Sequence, residues 1–278
     1  MKKIYINLKR FDIPRKYGGI SFTEEIRNYG ESLIHELDSV HNEDLEKIVI
    51  FLPEAHILSA LASRKTDSCI EIGCQGVFRE DVGLNGAFGA FTTQRTAKSA
   101  MALGCTYALI GHFEERKNLL EIMQVAGLGN KDAVSRILNK EVKMALSAGL
   151  KVLFCVGETS EEQSCRQLII EQQLSIGLDE VDKSKITIAY EPIWAIGPGK
   201  TPPDKDTIEE VVKLIKNYVT CDVVYGGGLK SENAEMLHSI QSLDGGLIGL
   251  TRFSGDIGFY PEECDEIIQK YIGKGNHK

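Results

Sequence analysis

Three side chains that can perform acid–base chemistry each follow a short apolar run of the sequence. Lys9, His112 and Glu191 come directly after the runs 3–8, 107–110 (with one glycine between) and 186–190. An ammonium, an imidazole and a carboxylate can together move a proton next to a carbonyl group. Taken singly, each has an ordinary interpretation as a solvated charge, a structural histidine or a turn-capping carboxylate before Pro192. Their shared position after apolar runs favours a common site.

Glycine-rich turns follow the last two apolar runs. Residues 226–228 are three glycines, and Gly249 closes the run 246–249. Glycine lets backbone N–H groups approach a ligand closely, and such turns commonly hold phosphate. Combined with the acid–base groups, these turns predict proton transfer in a phosphorylated substrate.

The elements that must position these groups alternate along the chain. Strands are predicted at 3–8, 47–51, 69–73, 107–110, 151–156, 186–190, 221–225 and 246–249. Amphipathic helices are predicted near 22–37, 53–64, 95–103, 131–148, 161–176, 206–219, 231–240 and 261–272. This pattern favours a parallel sheet covered by helices, and eight repeats fit a closed (β/α)8 barrel, with functional groups at the carboxyl ends of the strands. A doubly wound sheet is the competing fold, but no GxGxxG follows the first strand. With no linker composition, residues 1–278 are predicted to form a single domain.

The composition of the chain indicates which binding partners and which cellular compartment to expect. Acidic residues (40) exceed basic ones (32), and the net charge of −8 disfavours binding to nucleic acid and to anionic lipid. The seven cysteines never form a CxxC pair, which disfavours a disulfide scaffold or structural zinc and fits reduced thiols in the cytoplasm. No apolar stretch approaches the roughly 20 residues that cross a bilayer, and the run 4–6 is too short for a signal peptide. We expect a cytoplasmic protein.

Several segments resemble the triosephosphate isomerase family. Residues 189–202, AYEPIWAIGPGKTP, resemble the family segment that carries the catalytic glutamate and a mobile loop. Further matches occur in family order between residues 4 and about 250: NLK at 7–9, LIGHFEER at 109–116, AGLKVLFCVGET at 148–159 and VYGGGLK at 224–230.

The resemblance implies isomerisation of a short sugar phosphate through an enediolate, with glyceraldehyde 3-phosphate and dihydroxyacetone phosphate as the pair interconverted. Glu191 would carry the proton between adjacent carbons, and His112 would polarise the carbonyl as a neutral imidazole. Lys9 would stabilise negative charge, while Asn7 and Glu114 would orient the site. The resemblance implies neither a cofactor nor a metal.

The resemblance also assigns the phosphate group of the substrate. Gly197, Gly228, Gly249 and Leu250 match positions that bind it, and the loop 195–198 would close over the bound substrate and exclude water. The family is dimeric, with the loop at about 83–94 inserting into the partner and Thr92 matching the residue that reaches the neighbouring site. A homodimer is therefore implied.

The chain departs from the family pattern around the substrate. Phe113 replaces a serine after the histidine, and Gly228 replaces a serine in the phosphate turn. Glu115 and Gln94 stand where the family has an Arg–Glu ion pair, and Leu250 replaces the second glycine of the other phosphate turn.

These departures keep other functions open. The first loop, with Arg10, Arg15 and Lys16, resembles a bacterial subgroup of polyol catabolism that acts on L-erythrulose 1-phosphate and D-erythrulose 4-phosphate. Arg252 either supplies positive charge to the substrate phosphate or is a surface residue.

A non-catalytic phosphate-binding barrel is a rival function that the intact acid–base residues disfavour. A Schiff-base aldolase is another, but it needs a lysine near the end of strand 186–190, which has none.

Overall fold

The computed structural model describes residues 2–38, 45–83, 86–197 and 199–273. In these ranges the chain forms eight parallel strands in the order β1 to β8, and β1 also pairs with β8, so that the sheet closes into a barrel. The strands are β1 (Lys2–Asn7), β2 (Leu45–Leu52), β3 (Ile70–Cys74), β4 (Tyr107–Ile110), β5 (Lys151–Val156), β6 (Ile186–Tyr190), β7 (Asp222–Tyr225) and β8 (Gly245–Ile248). The predicted (β/α)8 barrel is confirmed, and the doubly wound sheet is excluded.

Alternation along each strand separates two apolar layers. One set of side chains fills the interior of the barrel, where Tyr5 packs against Phe51 and Tyr107 with ring centroids 6.2 and 6.0 Å apart. The opposite set, including Ile4 and Ile6 of β1, packs outward against the helices. Since both faces of the strands are covered, their runs are apolar throughout rather than alternately polar.

The helices between the strands cover the barrel. They are α1 (Tyr29–Leu37), α2 (Glu54–Ser63), α3 (Ala97–Leu103), α4 (Phe113–Val125), α5 (Lys131–Ser147), α6 (Arg166–Gly177), α7 (Lys205–Tyr218), α8 (Ala234–His238) and α9 (Pro261–Tyr271). The helices predicted at 22–37 and 161–176 begin instead with 3₁₀ turns, Ile26–Asn28 and Ser160–Cys165. No helix within the described residues is long and apolar enough to cross a membrane.

Helix α4 was not predicted, because it lacks the pattern on which helix prediction depends. None of its residues, all of which are described, is fully buried. Leu119, Leu120 and Met123 pack against the core but stay partly accessible, so no continuous stripe of buried residues appears in the sequence. The helix begins where the site residue His112 ends the β4 turn, so its start matters for function.

The seam between β1 and β8 closes the barrel. Lys3 is paired with Gly245 in register, and a Cβ atom at Gly245 would overlap the carbonyl oxygen of Lys3. A glycine is therefore required where the last strand meets the first. The Lys3 ammonium also pairs with Asp222 of β7, which ties the seam to the next strand.

Candidate active site

The carboxyl ends of the strands bring the predicted site residues into one cavity of about 330 Å³. Its lining includes every residue that the sequence assigned to the site: Asn7, Lys9, His112, Glu114, Glu191, Gly197, Gly228, Gly249 and Leu250. It also includes Phe11, Phe113 and Phe253, which add apolar walls. In the described part of the chain, no group of three or more His, Cys, Asp or Glu side chains is arranged to hold a metal ion.

Glu191 and His112 face each other at the bottom of this cavity. Oε1 of Glu191 lies 3.3 Å from Nε2 of His112, and the two residues are 2% and 8% exposed. Oε2 of Glu191 accepts a hydrogen bond of 3.0 Å from the backbone N–H of Phe113. Burial raises the pKa of Glu191 to about 8, although this N–H and the Lys9 ammonium act in the opposite direction. A carboxylate so poorly solvated is a strong base for its type.

His112 is held as a neutral ring. It is the residue that caps the N-terminus of α4, and its Nδ1 accepts a hydrogen bond of 3.3 Å from the backbone N–H of Glu114. A ring whose Nδ1 accepts carries its proton on Nε2, the nitrogen that points at Glu191 and into the cavity. Burial lowers the pKa of His112 to about 3, and the nearby Lys9 ammonium lowers it as well. The ring can therefore donate a hydrogen bond without carrying charge.

Two glycines allow Glu191 to occupy this position. A Cβ atom at Gly157 would overlap the carbonyl oxygen of Glu191, and one at Gly226 would lie 2.9 Å from its Cγ. These glycines follow β5 and β7, the neighbours of β6 on either side. The close approach of three strand ends thus depends on the absence of side chains at both places.

Lys9 sits in an unusual backbone conformation beside the cavity. Its φ of 42° lies in the left-handed region, and its N–H donates a 3.1 Å hydrogen bond to Oδ1 of Asn7. The ammonium pairs with Oε1 of Glu114 at 2.7 Å and lies 5.0 Å from the centre of the Phe113 ring. Asn7 and Glu114 therefore hold the backbone and the charge of Lys9 respectively.

Gln75 was missed by the sequence analysis, although it directly follows β3. Its Nε2 lies within hydrogen-bond distance of Oδ1 of Asn7 (3.3 Å) and of the carbonyl oxygens of Lys9 (2.9 Å) and Phe51 (3.2 Å). It thereby links the ends of β1, β2 and β3 and supports the strained backbone of Lys9. Its place two residues after the predicted strand 69–73 was the available signal.

Glu158, which follows β5, was also missed. It is fully buried, and its Oε1 accepts hydrogen bonds from Tyr190 (3.0 Å), Trp194 (2.9 Å) and Arg166 (2.9 Å). Its carbonyl oxygen also accepts a 3.1 Å bond from the N–H of Ile193. Glu158 thus anchors the first residues of the loop that follows Glu191.

The glycine turns expose backbone rather than side chains to the cavity. Gly197 and Gly228 have φ values of 110° and 93°, in the left-handed region that favours glycine. The Gly228 carbonyl is held by Nδ2 of Asn233 at 3.0 Å. Pro198, the last residue of the predicted loop 195–198, lies outside the described residues.

Two residues at the departures from the family pattern are engaged elsewhere. The guanidinium of Arg252 pairs with Glu263 and stacks 3.9 Å above the ring of Tyr260, and Arg252 does not belong to the lining of the cavity in the described chain. It is therefore not placed to supply charge to a phosphate. Oε2 of Glu115 accepts a 2.6 Å bond from the N–H of Gly111, so that this carboxylate supports the turn before His112.

The fold and this geometry define a proton-transfer site in a (β/α)8 barrel, in which a buried carboxylate faces a neutral imidazole beside glycine turns. The model of the triosephosphate isomerase family matches residues 23–256. The triosephosphate isomerase of Synechococcus sp. (strain RCC307) is 32% identical over 77% of this chain and 79% of its own length. That of Prochlorococcus marinus (strain MIT 9301) is 32% identical over 81% and 86%.

A solved structure supports the fold. The triosephosphate isomerase of Bartonella henselae superposes with a TM-score of 0.67 and 24% identity, covering 89% of this chain and 92% of that one. The chain belongs to the triosephosphate isomerase family, as the sequence motifs predicted, and it is an isomerase.

Proposed function

We propose that the protein interconverts glyceraldehyde 3-phosphate and dihydroxyacetone phosphate, the triose phosphates of glycolysis. The observation that carries this proposal is the 3.3 Å approach of Glu191 Oε1 to His112 Nε2 within one buried cavity. The relatives described above, all named triosephosphate isomerases, support it and do not favour the four-carbon alternative.

The residues divide the reaction between them. Glu191 removes a proton from the carbon that bears the hydroxyl group and returns it to the former carbonyl carbon. The hydroxyl proton passes from one oxygen to the other through Nε2 of His112, which gives its proton to the former carbonyl oxygen and takes the hydroxyl proton in return. His112 donates a hydrogen bond from Nε2 to the carbonyl oxygen, which stabilises the enediolate. The positive charge of Lys9 lowers the energy of negative charge on the substrate throughout the cavity. Asn7 and Glu114 keep Lys9 in place through the contacts described above.

Backbone N–H groups bind the phosphate in this proposal. Gly197, Gly228, Gly249 and Leu250 line the same cavity, and glycine at three of these positions leaves the N–H groups accessible. Loop 195–198 would close over the substrate, anchored at its start by the bond between Trp194 and Glu158.

An assay with purified protein tests this function. Each triose phosphate is supplied separately and its conversion is followed by a coupled dehydrogenase reaction, with L-erythrulose 1-phosphate as the four-carbon comparison. We expect turnover of the triose, a loss of about 10²–10⁴-fold in kcat for Glu191→Gln, and none for Glu121→Gln, an exposed glutamate of α4. Absence of triose turnover, or equal loss in both variants, would contradict the proposal.

We also propose that the protein is a homodimer, that it is located in the cytoplasm and that residues 1–278 form one domain. The resemblance to the family supports the dimer, and Phe88, on the loop 83–94 that would contact the partner, offers an apolar side chain that is 90% exposed. Light scattering after size exclusion measures the mass. We expect twice the chain mass, and a shift toward the monomer for Phe88→Ser.

A further inference from the structure

Two cavities meet at Phe113. The first is the substrate cavity of about 330 Å³. The second, of about 230 Å³, lies between α4, α5 and the end of β5, and its apolar lining includes Leu120, Val134 and Ile193. Within the described part of the chain, Phe113 is the one residue that lines both. It therefore forms the boundary between them.

The side chain at this boundary is firmly held. The Phe113 ring packs against the His112 ring with centroids 4.6 Å apart and planes inclined by 39°. The Lys9 ammonium lies 5.0 Å from the centre of the ring, within the range of a cation–π interaction. The backbone N–H of the same residue is fixed on Glu191 at 3.0 Å. The ring consequently has little freedom to move aside for a larger substrate.

The second cavity is suited to carbon rather than to charge. Its polar groups are largely bonded to one another: Gln173 is hydrogen-bonded to both the N–H and the C=O of Gly157, at 2.9 and 2.8 Å. Glu162 is engaged by Thr159 and by the ammonium of Lys131. Space lined by satisfied polar groups and apolar side chains can accept a short carbon extension of a ligand without leaving its polar groups unpaired.

We propose that Phe113 is a specificity-determining residue that closes the substrate cavity beside His112 and restricts the enzyme to three-carbon sugar phosphates. Removing the ring joins the two cavities and admits a substrate with one more carbon. This inference rests on the proposed function.

The test compares two ketose phosphates, one of three carbons and one of four. The ratio of their kcat/KM values is measured for the unmodified protein, Phe113→Ala, Phe113→Leu and Leu120→Ala. One carbon in an apolar pocket changes discrimination by about 10–200-fold, so we expect Phe113→Ala to shift the ratio at least about tenfold toward the four-carbon substrate. Phe113→Leu, which keeps part of the wall, should shift it less.

Leu120→Ala is the matched control because Leu120 lines only the second of the two cavities. It enlarges that cavity without opening the boundary, so the ratio should stay unchanged. An unchanged ratio in Phe113→Ala, or an equal shift in Leu120→Ala, would overturn the proposal. If Phe113→Ala does not fold, the absence of any shift in Phe113→Leu overturns it.

Calorimetry separates this proposal from the function on which it rests. Two variants that lack the base, Glu191→Gln and Glu191→Gln/Phe113→Ala, are titrated with each ketose phosphate. The affinities can be measured in these variants without turnover. If the unmodified protein fails to convert the triose phosphate, the proposed function fails. The partition is then supported by a binding ratio that shifts toward the four-carbon compound, and refuted by one that does not.

Discussion

The ionisation of Glu191 is expected to control activity at low pH. Burial raises its pKa to about 8, so about a tenth of the carboxyl groups are ionised at pH 7 and about a hundredth at pH 6. Because the ionised form is the base, kcat/KM should increase about tenfold per pH unit up to about pH 7.5 and become constant above about pH 8.5.

Glu114→Gln tests how the neighbouring charges contribute to this pKa. The charge of Glu114 raises the pKa of Glu191, whereas the Lys9 ammonium lowers it. Since Glu114 pairs with Lys9 at 2.7 Å, its replacement removes a repulsion and also leaves Lys9 unneutralised. Both effects lower the pKa, so the midpoint of the profile should move toward acid.

The assay measures kcat/KM for the triose phosphate across this pH range in the unmodified protein, Glu114→Gln and Glu121→Gln. Glu121 pairs with Lys117 at 3.7 Å on the exposed side of α4, so its replacement removes the same charge away from the site. We expect its profile to match that of the unmodified protein. A midpoint below about pH 6 in the unmodified protein would refute the argument from burial. A shift toward alkali in Glu114→Gln would refute the effect assigned to the charge of Glu114.

Three further predictions concern the supports of the site. Gly226→Ala places a Cβ atom 2.9 Å from Cγ of Glu191 and should reduce kcat more than it raises KM, as steady-state kinetics would show. The lowered pKa of His112 means that the unfolded chain binds a proton that the folded protein does not. The contribution of His112 to the free energy of unfolding is therefore lost as pH falls from 6.5 toward about 3, by about 2 kcal/mol at pH 5, whereas the raised pKa of Glu191 acts in the opposite direction. Urea unfolding at pH 8 and pH 5 should show that the unmodified protein loses about 2 kcal/mol relative to His112→Gln over this range. Glu158→Ala leaves Arg166 and the indole of Trp194 without their acceptor. It should destabilise the fold by about 3–5 kcal/mol and shift the emission of Trp194, the only tryptophan, to longer wavelength. An unchanged melting temperature and spectrum would contradict that role of Glu158.

The sequence predicted the strands well because each is a short apolar run buried on both faces. β4, β5 and β6 have the predicted bounds, and the remaining strands differ by one or two residues at their ends. Helix α4 was missed because an exposed helix leaves no periodic stripe. A local hydrophobic pattern in the sequence indicates which residues are buried, so an element without buried residues shows no such pattern.

The site was predictable where a residue type acts through its position at a strand end, and less so where it acts through distant partners. Lys9, His112 and Glu191 follow strands and resemble family motifs. Gln75 acts through hydrogen bonds to residues 24 to 68 positions away, and Glu158 through bonds to residues 8 to 36 positions away. The position of the Arg252 guanidinium was not predictable for the same reason, because it is set by the ion pair with Glu263 across a loop.

Because β1 pairs with β8, the active site can form only after nearly all of the barrel has been synthesised. Lys9 follows the first strand, whereas Gly249 and Leu250 follow the last, and the two strands are joined in register through Lys3 and Gly245. The chain up to about residue 250 must leave the ribosome before these groups, which lie about 240 positions apart, can become neighbours. Contacts between residues so far apart in sequence slow folding. A nascent chain that ends before β8 can form helices and strand pairs but cannot hold the phosphate. The appearance of enzymatic activity during refolding would therefore time the closure of the ring itself.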